Sequence, residues 1–281
     1  MIQPIIAKRE VTRHILKTFD IHMSKKLGQN FLIEEGIVQG IVAAADIQAG
    51  ETVLEVGPGI GTLTQGLAEA KANVIAVELD NRLPEVLAKT LAGYESVRIV
   101  HGDILKVNIR EIVASETFKV VANLPYYITT PIIMALLEQR LPVTKLVTMV
   151  QKEVAQRMVA TPGTKDYGAL SVAVQYYTAP RIVLEVPPQS FIPAPAVDSV
   201  VICCDVRQTP AVDVANEKLF FRTVKAGFSQ RRKTLNNTLK TMGVGAEVVK
   251  AALEAAGIDG VRRAETLSLQ EFAAIANAIK I

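Results

Sequence analysis

Short runs of apolar, β-branched residues recur along the chain, and segments with helical periodicity separate them. The five clearest runs cover residues 52–56, 74–79, 97–100, 119–122 and 145–150. Strands that alternate with helix-length segments indicate βαβ units and a parallel sheet. Two more apolar runs, 170–177 and 199–206, follow closely and are predicted to form a terminal hairpin. The pattern predicts an α/β fold with a mostly parallel seven-stranded sheet.

The β-branched runs stop near Arg207. The segment Arg207-Gln208-Thr209-Pro210 has the composition of a turn, and the chain beyond it shows only helical periodicity. We therefore predict a larger domain over residues 22–207 and a small all-α domain over residues 208–281.

Composition excludes several classes of protein. The chain is 49% hydrophobic and 21% charged, as expected for a folded globular protein. Its longest uncharged stretch, 120–137, contains Asn123 and Pro125 and is interpreted as strand, loop and helix rather than a membrane span. Arg9 and Glu10 lie where a signal peptide needs an apolar segment. We expect a cytoplasmic protein that does not enter membranes.

The cysteines and histidines do not predict a metal site. Cys203 and Cys204 are adjacent, so a strand would point them to opposite faces, and free thiols in a reducing compartment are expected. His14, His22 and His101 lack the spacing of metal ligands.

Positive charge is concentrated in one segment. The net charge of the chain is only +3, but residues 217–240 hold seven basic residues and one acidic residue. A solvated helix face is the ordinary explanation for such a run, yet the local excess favours contact with phosphates.

A glycine-rich loop follows the first strand of the pattern. Glu55-Val56-Gly57-Pro58-Gly59-Ile60-Gly61 precedes a segment with helical periodicity, an arrangement that lets the backbone and a helix N-terminus approach a ligand. The dinucleotide fingerprint G-x-G-x-x-G needs its third glycine one residue later. The spacing instead resembles the class I methyltransferase motif, although a merely tight turn remains the alternative.

Acidic residues end the next two strands. Glu78 occupies the position where such folds bind ribose hydroxyls. Asp80 is its competitor for that role, or else the cap of the following helix. Asp103 ends the third strand and resembles the methyltransferase contact to the adenine amino group of the cofactor; alone it would be read as a cap or turn residue.

The segment Asn123-Leu124-Pro125-Tyr126 directly follows the fourth strand. Adenine N6 is a poor nucleophile because its lone pair is delocalised into the ring. The Asn123 side-chain oxygen and the Leu124 carbonyl are suited to accept its two hydrogens, while Pro125 fixes the loop. Tyr126 is suited to stack on a flipped adenine. The alternative is a proline turn with a buried tyrosine.

Phe191 precedes the last predicted strand, in the extended segment Ser190-Phe191-Ile192-Pro193-Ala194-Pro195. It is the best candidate for stacking on the other face of the target base. The alternative is an aromatic anchor in the core.

Taken together, these motifs resemble the ribosomal RNA adenine N6-dimethyltransferases, and among them the small-subunit type. Further matching segments are 25–32, 151–155, 191–199 and 228–235. The resemblance implies a class I methyltransferase Rossmann-like fold, S-adenosyl-L-methionine as cofactor, and a monomer that dimethylates two adjacent adenosines in the 3′-terminal hairpin of 16S rRNA within a small-subunit precursor.

The resemblance also implies site residues. Cofactor contacts are expected from Asn30, Leu32, Gly57, Gly59, Glu78, Asp103 and Asn123. RNA contacts are expected from Lys25, Lys26, Arg222, Lys225, Arg231, Arg232 and Lys233. Residues 1–21 are an extension whose periodic Val11, Ile15 and Phe19 predict a helix, either an RNA-facing arm or, as favoured here, a packed addition.

Three other functions remain as alternatives. A large-subunit adenine dimethyltransferase of the macrolide-resistance type shares the catalytic motifs, but the Phe191 and Arg231 segments favour the small-subunit type. A ribosome-assembly or transcription factor that had lost catalysis would be expected to lack Asn123, Tyr126 or Glu78, and all are present. The glycine spacing disfavours an NAD-dependent dehydrogenase.

Overall fold

The computed structural model describes residues 3–22 and 28–280. The chain divides into two compact units. The first unit comprises Met1–Ala155 and Arg181–Val206, and the second comprises Gln156–Pro180 and Arg207–Ile281. The predicted boundary near residue 208 coincides with one crossing of the chain between units. The second unit also takes in 156–180, which the sequence pattern had placed with the larger domain.

Among the described residues, seven strands form the main sheet. They are β2 (Thr52–Val56), β3 (Asn73–Glu78), β4 (Val97–His101), β5 (Phe118–Asn123), β6 (Val143–Gln151), β7 (Thr178–Val186) and β9 (Ser199–Val206). Their order across the sheet is β4-β3-β2-β5-β6-β9-β7. Neighbours from β4 to β6 are parallel, whereas β9 runs antiparallel to β6. The mostly parallel α/β fold predicted from the sequence is thus confirmed. A separate antiparallel pair is β1 (Phe31–Leu32) with β8 (Phe191–Ile192).

Helices connect the strands and build the C-terminal part of the chain. They are α1 (Arg9–Thr18), α2 (Glu35–Ala45), α3 (Thr62–Glu69), α4 (Leu83–Thr90), α5 (Ile109–Val113), α6 (Thr129–Glu138), α7 (Lys152–Val159), α8 (Ala169–Tyr177), α9 (Glu217–Gly227), α10 (Leu235–Thr238), α11 (Ala246–Ala255) and α12 (Leu269–Ala278). Because β2, β3, β4 and β5 are parallel, the loops that follow them lie at one edge of the sheet. This edge brings together the motifs found in the sequence.

The predicted strand over 170–177 is wrong. These residues form α8, and the seventh strand of the sheet is β7. Nearly all side chains of α8 are buried, so its apolar run carries no helical periodicity that would distinguish it from a buried strand. The start of the helix is marked by Ser171, whose hydroxyl accepts a hydrogen bond from the Gly168 amide at 3.0 Å. Most of β7 is exposed, and its apolar run, Ile182-Val183-Leu184, is short and follows Pro180 and Arg181, so the longer run at 170–177 was taken for the strand.

The predicted N-terminal helix is α1. Its Ile15 is buried in an apolar cluster with Leu83 and Leu87 of α4. Thr12 is also buried and donates its hydroxyl proton to the carbonyl of Ile6 at 2.8 Å. The extension therefore contributes side chains to the core of the first unit.

Aromatic side chains form much of the core of the second unit. Tyr176 of α8 stacks on Phe220 of α9 with 5.0 Å between ring centroids. The ring centroid of Phe228 lies 5.8 Å from that of Tyr167 and 5.5 Å from that of Phe272 of α12. These contacts explain why residues 156–180 fold with the C-terminal helices.

Within the described ranges, no helix is both long enough and apolar enough to cross a membrane. Cys203 and Cys204 form no disulfide bond in the structure and are buried in β9.

Candidate active site

A cleft opens at the edge of the sheet where β2, β3, β4 and β5 end. It lies entirely within the first unit, and β1 and the segment just before it form part of its wall. The predicted residues that line this cleft are Asn30, Leu32, Gly57, Gly59, Glu78, Asp103, Asn123, Leu124, Pro125 and Tyr126. Motifs separated by up to about a hundred residues thus lie around one cavity.

The glycine loop needs its glycines. Gly57, Gly59 and Gly61 have φ angles of +70°, +62° and +94°, which side chains rarely adopt. A Cβ at Gly57 would meet no atom within 4 Å, so the loop leaves open space for a ligand beside this backbone. Gly61 is the N-cap of α3, and a Cβ there would lie 3.1 Å from Leu91. The loop is thus shaped both for ligand approach and for close packing of α3.

Glu78 is held by the backbone of the glycine loop. Its carboxylate accepts hydrogen bonds from the Gly59 amide at 3.1 Å and the Asp80 amide at 2.8 Å. Burial raises the pKa of Glu78 above its usual value, while these two amide bonds act in the opposite direction. The bonds fix the carboxylate at the end of β3, beside the loop.

Asp80 has a different role from Glu78. It pairs with Arg82 at 2.6 Å and accepts a hydrogen bond from Gln29 at 2.7 Å. The hydrogen bond to Arg82 lowers the pKa of Asp80 to about 2. Asp80 also accepts a hydrogen bond from the Arg82 amide at 3.1 Å, but the N-cap of α4 is Arg82 itself, so the alternative in which Asp80 caps this helix is wrong. Glu78 lines the cleft, and the carboxylate of Asp80 is occupied by its neighbours.

Glu55 was not among the residues predicted to bind a ligand. It lies in β2, lines the cleft and is only 1% exposed, and its Oε2 atom has no hydrogen-bond partner among the described residues. Burial raises the pKa of Glu55 to about 8, and the nearby Glu78 adds to the rise. Thr62, at the start of α3, adds a second buried oxygen without a partner in the same wall. The sequence signal that could have pointed to Glu55 is a single acidic residue within a short, mostly apolar strand.

The loop after β5 is fixed by backbone hydrogen bonds. The Leu124 amide donates to the carbonyl of Met149 at 3.2 Å, and the Pro125 carbonyl accepts from the Thr129 hydroxyl at 3.0 Å. The Asn123 side chain donates through Nδ2 to the carbonyl of Asn30 at 3.4 Å. Because the side-chain nitrogen of Asn123 is used in this bond, its oxygen Oδ1 remains available to accept a hydrogen bond from a ligand in the cleft.

Two tyrosines follow in a 3₁₀ turn, Tyr126–Ile128. Tyr126 is half-buried, and its hydroxyl shares a hydrogen bond with that of Ser199 at the start of β9. Tyr127 is 54% exposed at the cleft. The ring of Tyr126 is therefore the better-fixed aromatic surface of the loop.

Asp103 and Asn30 line the cleft and also stabilise their own loops. Asp103 accepts a hydrogen bond from the Leu105 amide at 3.0 Å, as the turn interpretation of this residue expects. Asn30 donates to the carbonyl of Gly28 at 3.1 Å. Leu32 is buried and pairs with Phe191 in the small sheet. Each still presents surface to the cavity.

Phe191 is not where the sequence analysis placed it. The ring is 2% exposed, belongs to the main apolar cluster of the first unit with Leu32 and Val38, and does not line the cleft. This placement fits the alternative of a core anchor, because the pairing of β8 with β1 turns the side chain toward α2 and the sheet. Stacking of Phe191 on a base stays a prediction that this geometry does not support.

The predicted basic residues lie in the second unit, except for two. Arg222 and Lys225 are exposed on α9, and Arg231, Arg232 and Lys233 are exposed on the loop before α10. The guanidinium of Arg231 donates to the carbonyl of Lys165 at 2.7 Å. Lys25 and Lys26 lie outside the described residues.

No group of three or more histidine, cysteine or acidic side chains in the part of the chain that the structure describes could hold a metal ion.

The chain is similar in sequence to proteins with a named activity. The profile of the family "Ribosomal RNA adenine dimethylase" matches residues 21–280. The "Ribosomal RNA small subunit methyltransferase A" of Alkaliphilus metalliredigens is 49% identical over 274 residues, which cover 95% of this chain and 96% of that protein. The protein of the same name from Moorella thermoacetica is 51% identical over 265 residues, 91% of this chain and 92% of its own length.

Solved structures share the fold. A dimethyladenosine transferase from Plasmodium falciparum superposes with a TM-score of 0.75 at 27% identity, covering 87% of this chain and 95% of its own. The 23S rRNA methyltransferase ErmE superposes with a TM-score of 0.68, also at 27% identity, covering 89% of this chain and 99% of its own.

Proposed function

This chain belongs to the ribosomal RNA adenine dimethylase family, and on that basis we propose that it transfers methyl groups from S-adenosyl-L-methionine to N6 of two adjacent adenosines in the 3′-terminal hairpin of 16S rRNA. The relatives with about half of their residues identical carry a small-subunit name, which supports this substrate over the large subunit. The observation that carries the proposal is that the Asn123 loop and the glycine loop line the same cleft.

The residues of the cleft fit this cofactor. Gly57 leaves space beside the backbone, and the carboxylate of Glu78 is placed to accept from ribose hydroxyls. The unpartnered oxygen of Glu55 offers a buried acceptor for an ammonium group. Asn30, Leu32, Gly59 and Asp103 complete the wall. When bound, the cofactor supplies a methyl group on a positively charged sulfur, which an amine attacks directly.

Two acceptors of the chain prepare adenine N6 for that attack. In the first transfer, the Oδ1 atom of Asn123 and the carbonyl of Leu124 accept hydrogen bonds from the two N6 hydrogens, which draws the lone pair out of conjugation with the ring. Pro125 has no amide proton that would compete for these acceptors. The Tyr126 ring supports the base by stacking, which contributes about 1–3 kcal/mol. The alkylated nitrogen releases one proton to solvent, so the residues need not include a strong base.

We expect the purified protein to transfer labelled methyl groups from S-adenosyl-L-methionine to small ribosomal subunits that lack the modification. Digestion of the RNA and mass spectrometry should find N6,N6-dimethyladenosine at two adjacent positions of the terminal hairpin. Subunits that already carry the modification are the matched control and should accept almost no label. Transfer to large-subunit RNA alone would contradict the proposal and favour the alternative suggested by the similarity to ErmE.

The exposed basic loop before α10 should contribute to RNA affinity without affecting cofactor binding. Arg232 and Lys233 are exposed there, and their charges can neutralise phosphates. Replacing either with alanine should make the negative slope of log affinity against log salt concentration shallower by about 0.7–0.9, as expected for one lost phosphate contact. Filter binding over a range of salt concentrations measures this slope.

Lys250 provides the control for that measurement. It is exposed on α11 of the same unit and lies 4.0 Å from Glu254. Lys250→Ala should leave the salt slope unchanged. Equal effects of all three substitutions would indicate a general charge effect rather than a local contact.

We further propose that the protein acts in the cytoplasm, where small subunits are assembled. Cys203 and Cys204 are buried and not joined by a disulfide bond, which is compatible with a reducing compartment.

A further inference from the structure

We propose that Ser199 is a positioning residue that sets the orientation of the Tyr126 ring against the target adenine, through the hydrogen bond between the two hydroxyl groups. The inference rests on the proposed function, because it concerns the base that this loop receives. Ser199 is separated from Tyr126 by 73 residues in sequence, and neither motif alone indicates that they meet.

Ser199 is part of a rigid support. It is the first residue of β9, lies opposite Gln151 of β6 in the antiparallel register, and is 1% exposed. The amide of Lys152, the next residue after β6, donates to the carbonyl of Asp198 at 3.0 Å, which continues the pairing beyond the strand end. A hydroxyl held by paired strands is a fixed point for its partner.

The other bonds of the loop do not fix the ring of Tyr126. The Leu124 amide bond to Met149 and the bonds to the Pro125 carbonyl from Ile128 and Thr129 hold only the main chain. In the described parts of the chain, the Ser199 hydroxyl is the one hydrogen-bond partner found for the phenol of Tyr126. The ring can rotate about its side-chain bonds unless its far end is held, and Ser199 holds that end.

Ring orientation affects the reaction because the base lies on the ring. A stacked adenine follows the plane of Tyr126, and its N6 atom must reach both the Asn123 oxygen and the Leu124 carbonyl at hydrogen-bond distance. A tilt that moves N6 by a fraction of an ångström weakens at least one of these bonds. Ser199 therefore acts on the rate of transfer through Tyr126, without touching the base.

The test compares Ser199→Ala, Tyr126→Phe and the double variant in the full-length protein. Single-turnover methyl transfer to unmodified small subunits, measured over a range of enzyme concentrations up to saturation, gives the rate constant and the half-saturating enzyme concentration. Each single variant should lose about tenfold in rate constant, with a change of less than about twofold in half-saturation. The double variant should lose no more than either single one, because both remove the same bond.

Two further variants separate positioning from general structure. Ser199→Thr keeps the hydroxyl and should restore most of the rate. Ser96→Ala removes an exposed hydroxyl of a residue that does not line the cleft, and it should behave as wild type. Thermal melting of each variant checks that the fold is retained; if Ser199→Ala does not fold, Tyr126→Phe still removes the bond from the other side.

A wild-type rate in Ser199→Ala or in Tyr126→Phe would overturn the inference, and so would losses that multiply in the double variant. If the wild-type protein itself fails to methylate small subunits, the proposed function fails and the inference falls with it. Activity of the wild type together with normal transfer by Ser199→Ala would reject the positioning role alone.

Discussion

Asn123→Ala is expected to lower the rate of methyl transfer by about a hundred- to a thousandfold, the usual cost of removing one preorganised hydrogen-bond partner from a transition state. The variant loses the side-chain oxygen proposed to accept one N6 hydrogen. It also loses the donation from Nδ2 to the carbonyl of Asn30. The Leu124 carbonyl, which belongs to the backbone, remains as the second acceptor. The variant should therefore keep a measurable residual rate, because one of the two acceptors for N6 is still present.

Single-turnover methyl transfer measures the loss, and a measurement of binding to small subunits shows whether the loss lies in transfer or in affinity. Affinity for small subunits should be unchanged, since the basic residues proposed for RNA lie in the second unit. Asn108→Ala is the matched control, because Asn108 is an exposed asparagine of the same unit whose amide contacts only Glu111 among the described residues. A variant at Asn123 that kept more than a tenth of the wild-type rate would remove the proposed role of its side chain.

The parallel core of the sheet could be predicted because its strands are buried on both faces. Apolar residues therefore dominate the runs at 52–56 and 119–122, which marks them as strands although they contain Glu55 and Lys119. The end of the sheet could not be predicted in the same way. β7 lies at an edge and is mostly exposed, whereas α8 is buried almost all round, so the apolar signal fell on the helix. Burial, rather than secondary structure, was what the pattern reported.

The candidate site was predictable where a motif ends a parallel strand. The Asn123 loop, Glu78 and Asp103 end three such strands, so their convergence follows from the topology. Residues whose role depends on packing were not predictable. Ser199 contacts Tyr126 only because β9 pairs with β6, and Phe191 is buried because β8 pairs with β1. Those pairings carry no local sequence signal.

Glu55 should make the ligand-free protein less stable as the pH rises. Its pKa is about 8 in the folded protein and 4.5 in its usual state, so the folded protein retains a proton that the unfolded chain releases between these values. The free energy of unfolding therefore falls across this interval, at most by about 1.4 kcal/mol per pH unit. Glu55→Gln cannot ionise and should be more stable than wild type at pH 8, by about 4 kcal/mol. Near pH 5 the two proteins should differ by less than about 1 kcal/mol.

Urea unfolding between pH 5 and pH 8.5 is the appropriate measurement. In this range the contribution of Asp80 is constant, because the lowered pKa of that residue affects stability only at more acidic pH. The raised pKa of Glu78 acts in the same direction as that of Glu55, but Glu78 is present in both proteins, so most of its contribution cancels in their difference. Glu85→Gln, at an exposed position of α4, controls for the loss of one surface charge and should follow the wild-type curve. Parallel curves for wild type and Glu55→Gln would mean that Glu55 is already ionised in the fold, and that its unpartnered oxygen is stabilised without a ligand.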